Sequence, residues 1–141
     1  DLRYKRDTNF RLNKSFLSII VQNGNGFTTI VNLLELCGIL SFNLNQDQLL
    51  DLWTYFQDRY NITVLPEPNL QHDFPSIEIN RLFGILRKKT SFGDALMISV
   101  AEKYLSFVST LVTWDDTHFT DKYSGNVLTP NVFLARRNQN R

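Results

Sequence analysis

The first half of the chain alternates amphipathic helical stretches with short apolar runs rich in β-branched residues. Residues 10–23 place apolar side chains at helical spacing before a glycine-rich stop, which predicts a first helix. The run FTTIV, residues 27–31, predicts a buried strand, and a helix is expected to start near Asn32, a favourable N-cap. Residues 45–60 form the clearest amphipathic helix, and the strand after them is expected to end at Pro66.

The second half continues the same alternation. Ser76 is expected to cap a helix over residues 76–89, and a further helix follows over residues 91–105. The runs SFVSTLVTW and GNVLTPNVFLA predict two more strands, the last of them broken by Pro130. Short apolar strands that alternate with helices predict an α/β fold with a largely parallel sheet. Such sheets bind ligands outside the carboxyl ends of their strands.

Composition restricts the class of protein more than it restricts the function. The 141 residues are 43% hydrophobic, which suits a single globular domain over residues 1–141. The single cysteine, Cys37, excludes an internal disulfide and a cysteine-based zinc site. No apolar stretch reaches the roughly 20 residues that span a bilayer, so we expect a cytoplasmic protein with no membrane partner. The formal net charge of +1 argues neither for nor against binding to nucleic acid.

Four acidic side chains lie beside apolar residues at predicted strand ends or helix starts: Glu35, Asp94, Asp115 and Asp116. Such places meet at one edge of a parallel α/β sheet, where close carboxylates raise one another's pKa unless a cation neutralises them. In the absence of a cysteine–histidine cluster, the expected cation is Mg²⁺ or Mn²⁺. Structural interpretations stay open for all four acids: a partner of a helix dipole, strand-exit residues, and a paired or half-exposed glutamate.

The ordered segments TTIVNLLEL, SFGDALMISVAEKY, LVTWDDTHF and VLTPNVFL together resemble the PIN-domain family of small metal-dependent nucleases. The resemblance covers residues 27–134 and implies a three-layer sandwich, with a central, mostly parallel β-sheet flanked by helices. It implies catalytic and metal-binding roles for three acids: Glu35, Asp94 and Asp115. It also implies that Asp116 assists as a metal ligand, and that Thr113 is the hydroxyl residue beside the last matched acid.

The N-terminus departs from the family pattern, in which a first acid ends an apolar central strand. Here Asp7-Thr8-Asn9 has the letters of that motif, but the preceding residues 3–6 are mostly charged and make a poor buried strand. Two interpretations stay open. Either Asp7 is the first acid, or the motif lies upstream of Asp1 and residues 1–141 lack the first strand, as the weak β pattern favours. A parallel sheet without its central strand should be unstable, so Asp7 remains a candidate.

The resemblance implies a divalent-metal-dependent endoribonuclease that cleaves phosphodiester bonds in RNA, with the toxin of a toxin–antitoxin pair as one form of it. The implied partners are RNA, an antitoxin protein and a second copy of the chain in a homodimer. The alternative is an inactive PIN-like module that binds protein or RNA. A third hypothesis is an unrelated α/β protein whose acids do not come together.

The distribution of charge outside the acidic pocket favours a polyanionic partner. With four acids assigned to the pocket, the 15 basic residues outnumber the remaining acids. The candidate phosphate-facing residues are Arg81, Arg87, Lys88, Lys89, Arg136 and Arg137. His72 and His118 are interpreted as surface or packing residues.

Overall fold

The computed structural model describes residues 9–139, in which helices alternate with short strands. The helices of these residues are α1 (Phe10–Asn23), α2 (Ile30–Leu40), α3 (Gln46–Tyr60), α4 (Ile79–Leu86), α5 (Phe92–Tyr104), α6 (Asp116–Phe119) and α7 (Pro130–Gln139). The strands are β1 (Gly26–Thr29), β2 (Ile62–Leu65), β3 (Thr110–Val112) and β4 (Asn126–Leu128). The predicted mixed α/β architecture is confirmed for this part of the chain.

The strands form two small parallel sheets. In the first strand pair, β1 lies parallel to β2, with Gly26 opposite Ile62 and Thr29 opposite Leu65. In the second strand pair, β3 lies parallel to β4, and Val112 is opposite Leu128. Within residues 9–139 no further strand joins the two pairs. The predicted parallel pairing is therefore confirmed, and each pair depends on packing against helices for its stability.

Helix α5 lies at the centre of the core. Its side chains Ala95, Ile98, Ser99 and Val100 are completely buried, and the helix packs against α2, α4 and β1. A helix that is buried on most of its sides has mostly apolar or small residues, as α5 does. The Ser99 hydroxyl donates to the Ala95 carbonyl at 2.8 Å, so its burial leaves no unpaired donor. No helix of the described residues is both long and apolar enough to cross a membrane.

The first helix–strand boundary differs from the sequence-based expectation. The strand was expected to continue to Val31, with Asn32 as the helix cap, but β1 ends at Thr29 and α2 begins at Ile30. Thr29 is the N-cap because its side chain accepts from the Asn32 backbone N–H, while the Asn32 side chain accepts from the Thr29 backbone N–H. Ile30 and Val31 therefore bury their β-branched side chains from the first turn of a helix.

Two boundaries in the second half also correct the expectation. Helix α4 begins at Ile79, after Glu78 as N-cap, and Ser76 lies in the preceding loop, where its carbonyl accepts from Lys103 Nζ at 2.8 Å. Pro130 does not break a strand; it is the first residue of α7. Proline suits that position because its fixed φ matches the helix and its missing N–H has no partner there. The residues after Pro130 are thus helical, and β4 is shorter than predicted.

Candidate acidic site beside a cleft between the strand pairs

A cleft of about 810 Å³ lies between β1 of the first strand pair and β3 of the second. Its wall is mostly apolar, with side chains from α1 and α5. Two carboxylates, Asp94 and Asp115, reach the cleft beside Thr113, which directly follows β3. The carboxyl end of β3 is therefore the acidic part of an otherwise apolar cleft.

Asp94 is held at the start of α5 by the helix cap. Ser91 is the N-cap, and its hydroxyl oxygen accepts from the Asp94 backbone N–H at 3.2 Å. The same hydroxyl donates to Asp94 Oδ2 at 2.6 Å. A carboxylate in a first helical turn is also stabilised by the helix dipole. The structural interpretation of Asp94 therefore holds, and the side chain is at the same time partly exposed to the cleft.

Glu35 reaches the same region from α2. Its Oε1 lies 3.0 Å from the point where a Cβ on Gly93 would stand, directly before Asp94 in the chain. A Cβ at position 93 would be in tight contact with this carboxylate, which is the flexible end of its side chain. Glu35 itself is exposed. Folding thus brings two of the predicted acids to neighbouring positions, although they come from different helices.

Asp115 and Asp116 have different surroundings even though they are adjacent in the chain. Asp115 lines the cleft, and its backbone N–H donates to Thr113 Oγ1 at 3.2 Å. Asp116 begins α6, and its Oδ1 accepts from the Thr117 backbone N–H at 3.0 Å. Asp116 is not among the described residues that line the cleft. Asp7, the candidate first acid, lies outside the described residues.

The acids near the cleft have the right chemistry to bind a divalent metal, but their positions do not form a complete metal site. The oxygen ligands of Glu35, Asp94 and Asp115 are those that Mg²⁺ and Mn²⁺ prefer. Within residues 9–139, however, no group of three histidine, cysteine, aspartate or glutamate side chains is close enough to hold a metal ion. The described acids therefore supply suitable donors without forming a complete set of ligands.

His118 is a neighbour of the acids that sequence reasoning missed. Its Nε2 lies 3.6 Å from Asp94 Oδ2, and both side chains are partly exposed. His118 lies near Asp94 because helix α6 starts directly after Asp115. The backbone N–H of His118 donates to the Asp115 carbonyl at 3.2 Å. No local sequence signal links His118 to Asp94, because the two residues lie on different helices, α6 and α5, that only tertiary packing brings together.

The candidate phosphate-facing residues lie elsewhere on the molecule. None of the six is among the described residues that line the cleft. Arg81 forms an ion pair with Glu102, and Lys88 Nζ donates to the Asp121 carbonyl at 3.4 Å. Arg137 Nη1 is buried with no hydrogen-bond partner among the described residues. Arg87, Lys89 and Arg136 are exposed.

The chain matches no known protein-family model, and neither a curated protein nor a solved structure shows significant similarity to it. The resemblance to PIN domains stays a prediction from the sequence motifs.

Proposed function

We propose that the protein is a divalent-metal-dependent endoribonuclease that cleaves phosphodiester bonds in RNA. The observation that carries the proposal is the position of Asp94 and Asp115. They come from different parts of the chain, yet both line one cleft beside the carboxyl end of a parallel strand. Open α/β sheets place their ligand sites at such an edge. The carboxylates are partly or fully accessible there, as groups that meet a charged substrate must be.

Each residue of the site has a role in this proposal. Asp94, Asp115 and Glu35 supply carboxylate oxygens for Mg²⁺ or Mn²⁺, and Asp116 assists from the first turn of α6. Thr113 accepts from the Asp115 backbone N–H and so orients the residue that carries that carboxylate. A divalent ion in a site of this kind lowers the pKa of a bound water and stabilises negative charge on a phosphoryl oxygen.

The wider context is part of the same proposal. It includes a PIN-like three-layer arrangement around one central sheet, a cytoplasmic location, and RNA as the substrate. The toxin role would add an antitoxin protein as an inhibitory partner, and a homodimer is the proposed assembly. The positive balance of charge outside the four acids supports a polyanionic substrate.

A PIN-like module that binds protein or RNA without cleaving is the second candidate function. The observation that favours it is the incomplete ligand set, because no three-ligand group occurs within residues 9–139. Such a module would retain affinity for RNA and show no response to divalent metal.

The test is RNA cleavage by the purified protein in Mg²⁺ or Mn²⁺, with and without chelator, alongside the melting temperature in a Mn²⁺ titration. Asp94→Asn keeps the shape and removes the charge. We expect it to abolish the Mn²⁺-induced rise in melting temperature. We also expect a loss of cleavage greater than the roughly 10- to 100-fold that loss of an outer-sphere partner costs.

Asp47→Asn is the matched control, because Asp47 also lies in the first turn of a helix, α3, but is not among the described cleft residues. It should leave both readouts unchanged. Cleavage that resists chelator, or equal activity in Asp94→Asn and Asp47→Asn, would overturn the nuclease. RNA binding with no cleavage and no metal response would support the binding module.

A further inference from the structure

Two exposed aromatic side chains stand next to the two carboxylates that line the cleft. Trp114 directly precedes Asp115 and is 39% exposed. Phe92 lies two residues before Asp94 and is 63% exposed. Neither aromatic residue is among the described residues that line the cleft, whereas both carboxylates are. Each acid of the cleft therefore has an aromatic neighbour in the chain that lies outside the cleft and is open to solvent.

Trp114 is held in place although it is exposed. Its Nε1 donates to Asn13 Oδ1 of α1 at 2.8 Å, which satisfies the only polar atom of the side chain. Directly before it, the Thr113 backbone N–H donates to the Leu128 carbonyl at 2.9 Å. Within residues 9–139, no other aromatic ring and no cation stacks on the indole. Trp114 thus offers a fixed aromatic surface that the described part of the protein does not use.

A nucleotide has groups that match both parts of this arrangement. Its phosphate suits a metal ion held by the carboxylates, and its base needs a flat apolar surface nearby. Proteins recognise unpaired RNA bases by stacking them on aromatic side chains, whereas the bases of a duplex already stack on one another. Aromatic rings beside the acids therefore favour a strand whose bases are unpaired.

We propose that Trp114 and Phe92 are base-stacking residues, which hold the unpaired bases of the RNA on either side of the phosphate bound at the acids. Trp114 takes the base on the side of Asp115, and Phe92 takes the base on the side of Asp94. The inference rests on the proposed nuclease, because that function places a phosphate at the two carboxylates. The rings touch no reacting atom, so they determine which RNA is bound and leave the chemistry to the acids.

Tryptophan fluorescence measures this stacking without cleavage. The chain has two tryptophans, so Trp53→Phe leaves Trp114 as the only indole. We expect a saturable fall in its fluorescence when a short single-stranded RNA of mixed sequence is added in Ca²⁺, an ion that also takes oxygen ligands. The same RNA annealed to its complement should cause a much smaller fall, because its bases are stacked within the duplex.

Replacement of the ring measures the size of the effect. Trp114→Ala should weaken the binding of a fluorescein-labelled single-stranded RNA by about 5- to 150-fold, the loss that removal of one base-stacking aromatic causes. Trp114→Phe keeps a ring and should recover most of the affinity, and Phe92→Ala should weaken binding as Trp114→Ala does. Phe42→Ala is the matched control, because Phe42 is 89% exposed between α2 and α3, and it should bind RNA like the wild type.

The outcomes separate base stacking from nuclease activity. Fluorescence that does not change with single-stranded RNA would overturn the inference, and this measurement keeps Trp114, so it decides even if Trp114→Ala fails to fold. Equal affinity of the wild type and Trp114→Ala would also overturn it, while Mg²⁺-dependent cleavage by both would leave the nuclease standing. Quenching by single-stranded RNA without any cleavage in Mg²⁺ or Mn²⁺ would support the stacking and contradict the nuclease.

Discussion

The two strand pairs of this protein share parallel pairing but differ in how they are stabilised. In the first pair, Thr29 and Val64 are almost fully buried, and all four residues of β1 have partners on β2. Helix α2 follows β1, and helix α3 precedes β2. Both helices begin with a reciprocal capping box. Burial and local hydrogen bonds therefore act together in this half of the molecule.

The second strand pair is shorter and less buried. β3 and β4 have three residues each, and none of those residues is fully buried. Helix α6, which follows β3, has no side-chain hydrogen bond at its N-cap. The side-chain hydrogen bonds around the second strand pair join residues that are farther apart in the chain. Tyr123 Oη donates to the Val108 carbonyl at 3.0 Å, and Trp114 Nε1 donates to Asn13 Oδ1.

Sequence-local signals therefore stabilise the first strand pair, whereas the second depends on its tertiary neighbours. The second pair also carries Asp115 and Thr113, so the less buried half holds more of the candidate site. Regions of lower local stability are common at functional sites, since such sites must admit a ligand.

Truncation of a buried leucine should separate the two halves most strongly. Leu33 of α2 is 1% exposed, so Leu33→Ala should lower the free energy of unfolding by about 2–5 kcal/mol. Leu111→Ala in β3 is the matched change, and it should cost less because Leu111 is only partly buried. Urea denaturation of both variants measures the difference. Equal losses would contradict the comparison.

Removal of the Thr29 cap should weaken the first strand pair by a smaller amount. Thr29→Ala deletes the acceptor for the Asn32 backbone N–H and should lower the free energy of unfolding by about 1–2 kcal/mol. Thr29→Ser keeps the hydroxyl and is expected to recover most of that loss. If serine and alanine are equally destabilising, the methyl group, and not the cap, is the stabilising part.

In the second strand pair, the corresponding hydrogen bond is that of Tyr123. Tyr123→Phe removes the donor to the Val108 carbonyl and should lower the free energy of unfolding by about 0.5–1.5 kcal/mol. Tyr55→Phe serves as the control, because Tyr55 is 52% exposed on α3. A Tyr123 variant as stable as the Tyr55 variant would show that this contact does not stabilise the second pair.

High pH should give the smallest effect, with one responsive group in each half. Burial raises the pKa of the Cys37 thiol above its ordinary value of 9.0, and burial raises the pKa of the Tyr123 phenol above 10.0. In both cases the group loses its proton at lower pH in the unfolded chain than in the folded one. The free energy of unfolding therefore has its full value below the ordinary pKa and falls as pH rises past it.

Denaturant midpoints between pH 8 and pH 11 measure this decline. Cys37→Ala should remove the part that begins near pH 9, and Tyr123→Phe should remove the part that begins near pH 10. If stability stays constant up to pH 11, these two groups titrate alike in the folded and unfolded states.

Much of the local structure could be predicted from the sequence. Helices α1, α3 and α5 follow helical periodicity with recognisable ends, and the αL conformation of Gly24 ends α1 as expected. The approximate places of β1, β2 and β3 follow from short β-branched runs. The start of α2 could not be assigned correctly, because Thr29 and Asn32 are both good caps. Their reciprocal hydrogen bonds decide between them.

The candidate site could be predicted only as a set of residues. Asp94 and Asp115 were expected at one sheet edge, and both line the cleft. The approach of Glu35 to Gly93 and the contact of His118 with Asp94 were not foreseen. The separation of Asp115 from Asp116 was not foreseen either, since it depends on the short helix α6.

Local sequence signals were enough to predict α1, α3 and α5 and the approximate places of β1, β2 and β3, because periodicity and capping act within a few neighbouring residues. Tertiary packing places Asp94 near His118, Glu35 near Gly93, and β1 and β3 around one cleft. Those contacts join residues far apart in the chain. They form when buried surface between whole elements outweighs the entropy of ordering them, and no short stretch of sequence encodes that balance.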